Sequence, residues 1–201
     1  MSLLTSSGAW KTSMRRGFIL FFGIEDKLLR RTWFVAAAVI VVASGGLVFA
    51  EGPGDPAAVK SEDGKYYDKE GNPTYKVTAD GTVDWYTYSG FRRYHSECHV
   101  CHGPDGEGSS YAPALSKSLK VIAYADYANA VVNGRKNVNT AQESVMPAFG
   151  TNRNVMCYLE DIFVYLRARA NEAVPRGRPA KREDKPKAAT EMENGCLGHA
   201  G

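Results

Sequence analysis

The stretch ECHVCHGPDGEGSSYAP, residues 97–113, places two cysteines and two histidines within five positions. Cys98 and Cys101 lie three residues apart, and His102 follows the second cysteine directly. On a helical turn this spacing presents both thiols to one face. The two sulfurs and the imidazole are therefore expected to act on the same partner.

Three kinds of site use a C-x-x-C pair, and the neighbouring residues distinguish them. A dithiol redox site does not require a histidine directly after the second cysteine. A structural zinc site needs a second ligand pair at finger spacing, whereas Cys157 and Cys196 come singly and far downstream. C-x-x-C-H is the signature of c-type haem attachment through two thioethers. We predict one covalent haem c at Cys98 and Cys101, with His102 as the proximal iron ligand.

The first 50 residues are predicted to be a signal peptide. Arg30 and Arg31 precede the apolar run TWFVAAAVIVVASGGLVFA, residues 32–50, whose V-F-A ending suits signal peptidase. A periplasmic location follows, and it agrees with haem attachment outside the cytoplasm. An uncleaved membrane anchor is the alternative, because a run of about 18 apolar residues approaches the length that spans a bilayer.

The charge of the chain changes once this leader is set aside. The whole chain has 25 basic and 22 acidic residues, a net charge of +3. Residues 1–50 hold six basic and two acidic residues, so residues 51–201 keep 19 and 20, a net charge of −1. The excess of positive charge lies in the leader, and it gives no indication of a nucleic-acid partner.

The rest of the chain divides into three parts. Residues 51–83 form a polar, turn-rich arm in which DGKYYDKEGNPTYKV is typical of a hairpin turning near residues 70–72. Residues 84–170 form the compact domain. Residues 171–201 form a charged, proline-rich tail with too few apolar residues to build a core alone.

Helical periodicity organises the compact domain. Asp84 suits the N-cap of a first helix that runs into the cysteine pair. Gly90 lies inside this helix, where glycine costs about 1 kcal/mol relative to alanine, so another backbone is expected to come close. The last helix, residues 154–170, is predicted to make that contact. A short helix between them should end at Gly134.

These features resemble class I cytochrome c over roughly residues 84–168. Gly90 and Tyr94 lie eight and four residues before the first cysteine, and I-x-x-Y-L follows at residues 162–166. In that family the first and last helices cross at such a pair. Residues 84–115, with the second cysteine pair, also resemble the four-cysteine c-type cytochromes of methanol metabolism in methylotrophic bacteria. The resemblance implies an all-α class I cytochrome c fold around one haem.

Met146, in SVMPAFG, is the predicted sixth iron ligand. Its thioether is a soft, neutral ligand that favours ferrous iron, and the segment resembles the methionine loop of the family. An ordinary buried methionine is the alternative. Met156 is expected on a helix, and Met192 in the tail. Among the histidines, His199 is the remaining rival.

Two further features lie just after the haem motif. The resemblance implies that a proline carbonyl anchors the axial imidazole, and Pro113 in YAPAL has the matching position. A turn proline is the alternative. The segment GPDGEGSS contains two acidic residues, Asp105 and Glu107, but not the other ligands of a calcium-binding loop. It is therefore expected to be a solvated turn.

Cys157 and Cys196 remain as an even pair in an oxidising compartment. A helical wheel directs Cys157 away from the face of Leu159, Ile162 and Leu166, where a returning tail can reach it. We predict a Cys157–Cys196 disulfide. Free thiols or intermolecular bridges are the alternatives.

Two occupied axial positions leave the iron without a substrate site, which predicts an electron-transfer protein rather than an enzyme. The resemblance implies a quinoprotein alcohol (methanol) dehydrogenase or a related periplasmic oxidation system as electron donor. The acceptor would be another cytochrome c or an oxidase. A haem-based ligand sensor and a permanent haem subunit of a dehydrogenase complex are the alternatives. Trp85, Tyr86 and Tyr88 are expected to serve packing rather than docking.

Overall fold

The structure is a computed structural model and describes residues 54–138 and 143–198. Helices form most of the core, and three small sheets are added to it. In chain order the helices are α1 (Trp85–Glu97), α2 (His99–His102), α3 (Leu115–Ser118), α4 (Tyr124–Asn133), α5 (Arg153–Met156), α6 (Leu159–Ala170) and α7 (Lys187–Leu197), with a 3₁₀ turn at Pro104–Gly106. The strands are β1 (Lys60–Glu62), β2 (Lys65–Tyr67), β3 (Pro73–Thr74), β4 (Thr82–Val83), β5 (Arg135–Val138), β6 (Glu143–Met146) and β7 (Lys181–Arg182).

Helix α1 begins at Asp84, as the sequence predicts. The buried Asp84 carboxylate accepts hydrogen bonds from the Thr87 backbone nitrogen at 2.8 Å and the Thr87 hydroxyl at 2.6 Å. Its second oxygen also accepts from the Lys76 backbone nitrogen at 2.8 Å. The cap therefore fixes the start of the helix and ties it to the arm.

Helices α1 and α6 cross at Gly90. A Cβ atom built on Gly90 would lie 1.8 Å from the Asp161 carbonyl oxygen and 2.8 Å from Tyr165 Cβ. Any side chain at this position would push the helices apart. The predicted close approach at Gly90 is confirmed.

The main core lies around this crossing, beside the haem motif. Its buried members come from α1, α4, α6 and the segments between them. They are Tyr94, Leu119, Tyr127, Val131, Val155, Ile162, Phe163, Tyr165, Leu166 and Ala170. Cys98 and Met146 pack against this cluster from its edge.

The C-terminal helix differs from the prediction of one continuous helix over residues 154–170. It is broken between α5 and α6, because Tyr158 adopts φ −129° and ψ 20°, outside the helical region. Cys157 lies just before this break. Its side chain is 7% exposed and is bonded to Cys196 of the tail, so the tail reaches Cys157 as predicted.

The arm forms the predicted hairpin. β2 pairs antiparallel with β3 across a turn in which Asp68 Oδ1 accepts from the backbone nitrogens of Glu70 at 3.0 Å and Asn72 at 2.8 Å. The other Asp68 oxygen accepts from Arg167 Nη1 at 2.8 Å, and both side chains are fully buried. This ion pair joins the hairpin to α6, so the arm belongs to the same folded body.

The tail also packs against the compact domain. β7 pairs in parallel with β4, and α7 follows it. Val174 and Ala189 are buried in a second cluster with Val83, Trp85, Tyr86, Tyr88 and Ala168. The tail is therefore buried against apolar side chains of other elements. Met192 lies within α7.

Some predictions concern other parts of the chain. The signal peptide over residues 1–50 and the rival ligand His199 lie outside the described residues. Among the residues described, no helix is both long and apolar enough to cross a membrane.

Candidate haem site

A tight turn at the end of α1 carries the two cysteines of the haem motif. The Cys98 backbone nitrogen donates to the Tyr94 carbonyl at 2.9 Å, which continues the α1 ladder. The Cys98 carbonyl then accepts from the backbone nitrogens of Cys101 at 3.3 Å and His102 at 3.0 Å. Both cysteines are free thiols, with Cys98 partly buried and Cys101 exposed. Burial raises the pKa of the Cys98 thiol to about 12.

His102 is buried at the end of this turn. Its Nδ1 atom lies 3.1 Å from the carbonyl oxygen of Pro113. An Nδ1–H that donates to this carbonyl leaves the Nε2 lone pair for a metal. The second ring nitrogen is thus the one that could bind iron.

The loop after His102 is fastened at both ends. The Gly108 backbone nitrogen donates to the His102 carbonyl at 2.7 Å, and the Tyr94 hydroxyl donates to the Gly103 carbonyl at 2.5 Å. Gly103 has φ 73°, and a Cβ atom there would lie 2.2 Å from the Gly108 carbonyl oxygen. Glycine is therefore required where the chain turns away from the histidine.

Asp105 corrects the expectation that this loop is a solvated turn. Its side chain is buried, accepts from the Tyr165 hydroxyl at 3.2 Å and the Gly177 backbone nitrogen at 3.0 Å, and lies 3.4 Å from His95 Nε2. Burial alone would raise the pKa of Asp105. Hydrogen bonds from Gly177 and Tyr165 and the nearby positive charge of Arg169 instead hold that pKa below its ordinary value. In residues 54–138 and 143–198, no group of three or more His, Cys, Asp or Glu side chains is arranged to hold a metal ion.

Met146 is the last residue of β6 and packs against the main core. Its backbone is held by the end of α4, because a Cβ atom on Gly134, at φ 72°, would lie 2.5 Å from the Met146 carbonyl oxygen. Farther along, the Phe149 backbone nitrogen donates to the Val131 carbonyl at 2.9 Å, and the next residue donates to the Val132 carbonyl at 3.1 Å. Helix α4 and its terminal glycine therefore position the methionine loop.

Two of the other candidate ligands, His95 and Met156, lie within helices. His95 Nδ1 lies 2.9 Å from the Phe91 carbonyl, and its Nε2 faces Asp105. Met156 ends α5, as expected of a helical methionine. Trp85, Tyr86 and Tyr88 are buried, which agrees with a packing role.

The remaining two cysteines form a disulfide. Cys157 and Cys196 are bonded, with their Cα atoms 5.8 Å apart and a separation of 39 positions in sequence. The bond joins the segment between α5 and α6 to α7. It also leaves Cys98 and Cys101 as the free thiol pair in the described part of the chain.

These residues fit a covalently bound haem c. Cys98 and Cys101 could form the two thioethers, and His102 presents one nitrogen that its hydrogen bond leaves unused. Met146 contributes a neutral sulfur from a loop on the same core. The chemistry of this donor set is what c-type haem requires.

The sequence pattern did not reveal the contacts around Asp105. Its partners Tyr165, Arg169, Arg176 and Gly177 are 60 to 72 residues away in sequence. The one local signal is the Asp105-Gly106 pair after a proline, which is typical of a turn and says nothing about burial.

Comparisons with known proteins identify relatives of this chain. No family model matches the chain. Cytochrome c-553I of Paracoccus denitrificans is 51% identical over 158 residues, which cover 79% of this chain and 70% of that protein. Cytochrome c-555 of Methylococcus capsulatus is 35% identical over 100 residues, covering 49% of this chain and 75% of that protein. The crystal structure of the c-type cytochrome XoxG from Methylobacterium extorquens AM1 matches with a TM-score of 0.65 and 57% identity, covering 70% of this chain and 86% of that one.

The fold and the donor set define an electron-transfer protein that carries covalently bound haem c, not an enzyme. The chain belongs to the class I c-type cytochromes, in the methylotroph type represented by these relatives. The predicted all-α class I cytochrome c fold is confirmed.

Proposed function

We propose that this chain is a periplasmic one-electron carrier with a single haem c. The haem is attached to Cys98 and Cys101, with His102 and Met146 as the axial ligands. The observation that carries the proposal is the His102–Pro113 hydrogen bond of 3.1 Å beside two free thiols. The haem supplies a reversible one-electron change at its iron.

Residues of the chain would set the reduction potential of the haem and hold its axial ligands in place. The Pro113 carbonyl fixes the tautomer and orientation of the His102 ring and makes it a better electron donor. The Met146 thioether favours the reduced state, and the α4 end holds its loop in place. Because both axial positions are filled, this arrangement favours a carrier over a ligand sensor.

The attachment segment offers an exposed edge for electron transfer. Val100 is 75% exposed and Tyr111 is 76% exposed, although both are large and apolar. Ser109 holds Tyr111 near the haem motif, since the Ser109 hydroxyl donates to the Cys101 carbonyl and accepts from the Tyr111 backbone nitrogen. A small apolar contact of this kind suits a weak, transient redox encounter.

The proposed donor is a quinoprotein methanol dehydrogenase or a related periplasmic oxidation system, and the proposed acceptor is another cytochrome c or an oxidase. The resemblance of residues 84–115 to cytochromes of methanol metabolism supports this choice. The export-like apolar run at residues 32–50 and the Cys157–Cys196 disulfide support a location in an oxidising compartment.

The donor is tested by mixing the oxidised holoprotein with a quinoprotein methanol dehydrogenase and methanol while following its visible spectrum. We expect rapid reduction that requires methanol, with a quinoprotein glucose dehydrogenase and glucose as the control pair. A protein that ascorbate reduces but that the methanol system leaves oxidised would contradict the donor assignment. Strong carbon monoxide binding to the reduced protein at neutral pH would favour the sensor alternative.

A further inference from the structure

Asp105 is a buried carboxylate that the proposed electron transfer does not use. It is 5% exposed and lies three residues after His102. It has φ 57°, a left-handed conformation that glycine, asparagine and aspartate adopt more readily than other residues. A left-handed backbone, a buried charge and a place three residues after the proposed axial ligand occur together at this residue.

The contacts of Asp105 join the loop to three other elements. From α1, His95 Nε2 lies 3.4 Å from both the carboxylate and the backbone nitrogen of Asp105. From α6, the Tyr165 hydroxyl donates to the carboxylate at 3.2 Å and Arg169 Nε donates to the Asp105 carbonyl at 3.3 Å. From the tail, the Gly177 backbone nitrogen donates at 3.0 Å.

Of the two arginines near Asp105, one is also paired with another carboxylate and the other is exposed to solvent. Arg169 also pairs with Glu107 at 2.8 Å and donates to the Val174 carbonyl. Arg176 Nε lies 3.6 Å from the Asp105 carboxylate, but its side chain is 66% exposed. Solvent screens an exposed charge more than a buried one. The carboxylate is therefore expected to act on its surroundings as a negative charge.

We propose that Asp105 is a positioning residue that holds the loop behind His102 and lowers the reduction potential of the haem. The inference rests on the proposed ligation by His102. The Cα atoms of the two residues are at most about 11 Å apart, because three peptide units join them. A buried negative charge at this range stabilises the ferric state, which carries one more positive charge than the ferrous state.

The test is the equilibrium reduction potential of the Asp105→Asn holoprotein, measured by spectroelectrochemistry. Asparagine keeps the shape and tolerates the left-handed conformation, so the loop should be retained. We expect a more positive potential, with the ferrous-to-ferric ratio at a fixed poise increased by about tenfold. Glu107→Gln is the matched control, because it neutralises a carboxylate of the same loop that is 40% exposed. Its effect should be clearly smaller.

A second variant keeps the proposal testable if Asp105→Asn does not fold. Arg176→Gln removes a positive charge that solvent screens only in part, because it lies 3.6 Å from the Asp105 carboxylate, so it should shift the potential in the opposite direction and by less than Asp105→Asn. The proposal is wrong if Asp105→Asn keeps its haem spectrum at an unchanged potential, or if Glu107→Gln shifts the potential equally. It is also wrong if Arg176→Gln leaves the potential unchanged or raises it. Absence of covalent haem from the wild-type protein would instead refute the proposed function.

Discussion

Single backbone carbonyls and single glycines hold the candidate haem site in shape. The Pro113 carbonyl faces His102, and the Gly103 carbonyl accepts from Tyr94. At Gly134, the carbonyl of Met146 occupies the space a side chain would need. These contacts hold the loops that carry the candidate ligands.

The substitution Met146→Ala tests whether Met146 is the sixth iron ligand. Haem should remain attached, because the thioethers and His102 are unchanged, but the weak near-infrared band of a sulfur–iron bond should disappear from the ferric spectrum. The matched control is Met192→Ala, in α7, which should keep the band. A band that persists in Met146→Ala would show that another side chain is the ligand.

The roles of some residues could be predicted from the sequence, because these roles depend on nearby residues. The C-x-x-C-H motif, Asp84 as N-cap and Gly90 as a contact point each depend on neighbours within a few positions or on the absence of a side chain. Asp105 could not be interpreted in this way. Its burial is created by α6 and the tail, which pack over it only after folding.

Among the elements, the crossing of α1 and α6 supports the haem motif. Their contact is so close that the ring of Tyr165 lies edge-on to Phe91, with centroids 5.6 Å apart, and near Tyr94 at 5.7 Å. The same α1 continues directly into the turn that carries Cys98. A change in the crossing would therefore be transmitted to the attachment cysteines.

Gly90→Ala should lower the free energy of unfolding by about 3 kcal/mol or more, because the helices must separate to admit a methyl group. Gly195→Ala is the control, since Gly195 lies inside α7 and a Cβ atom added there would meet nothing within 4 Å. Alanine there should stabilise by about 1 kcal/mol at most. Denaturant unfolding measures both, and equal effects would contradict the crossing.

The disulfide connects α7 to the break between α5 and α6. Cys196→Ser should lower the free energy of unfolding by up to about 4 kcal/mol, the chain-entropy value for a loop of this length. Serine is chosen at position 196 because that side chain is exposed, whereas Cys157 is buried. The visible spectrum and the reduction potential should hardly change. A loss of the sulfur–iron band would contradict the separation of tail and site.

The break between α5 and α6 could not have been predicted from periodicity. A helical wheel assumes one phase from end to end, but Tyr158 leaves the helical region. The disulfide prediction placed the end of the tail beside Cys157. The packing of the rest of the tail could not be predicted, because its own composition is polar. Val174 and Ala189 become buried only against Trp85 and its neighbours.

Across the whole molecule, arm, compact domain and tail form one body connected by buried charged groups. Asp68 and Arg167 join the hairpin to α6. Asp161, also on α6, is 2% exposed and faces Ser89, with Lys65, Glu160 and Asp84 nearby. Burial raises the pKa of Asp161 to about 7, although the Ser89 hydrogen bond and the charge of Lys65 oppose this shift.

This raised pKa gives folding stability a pH dependence. Below the unfolded pKa of about 3.9, Asp161 is neutral in both states and imposes no charge penalty. As pH rises from about 4 to about 7, the unfolded chain loses its proton first, so the folded state loses relative stability. Above pH 7 the penalty is constant, at most about 4 kcal/mol.

Asp161→Asn should therefore be more stable than the wild type at pH 8, with the difference shrinking as pH falls towards 4. Denaturant unfolding of both proteins at several pH values measures this difference, in which the titrations they share cancel. Glu160→Gln is the control, because the partly exposed Glu160 carboxylate pairs with Lys65 and should show no such gain. A difference that does not vary with pH would contradict the raised pKa of Asp161.

The central claim is the covalent attachment of one haem to Cys98 and Cys101. Mass spectrometry of a tryptic digest under reducing, denaturing conditions tests it most directly, because residues 94–117 form one tryptic peptide that contains both cysteines. We predict that this peptide carries the mass of one haem and takes up no alkylating reagent. A peptide with two alkylated cysteines and no haem, from protein exported by a cell that makes c-type cytochromes, would contradict the account.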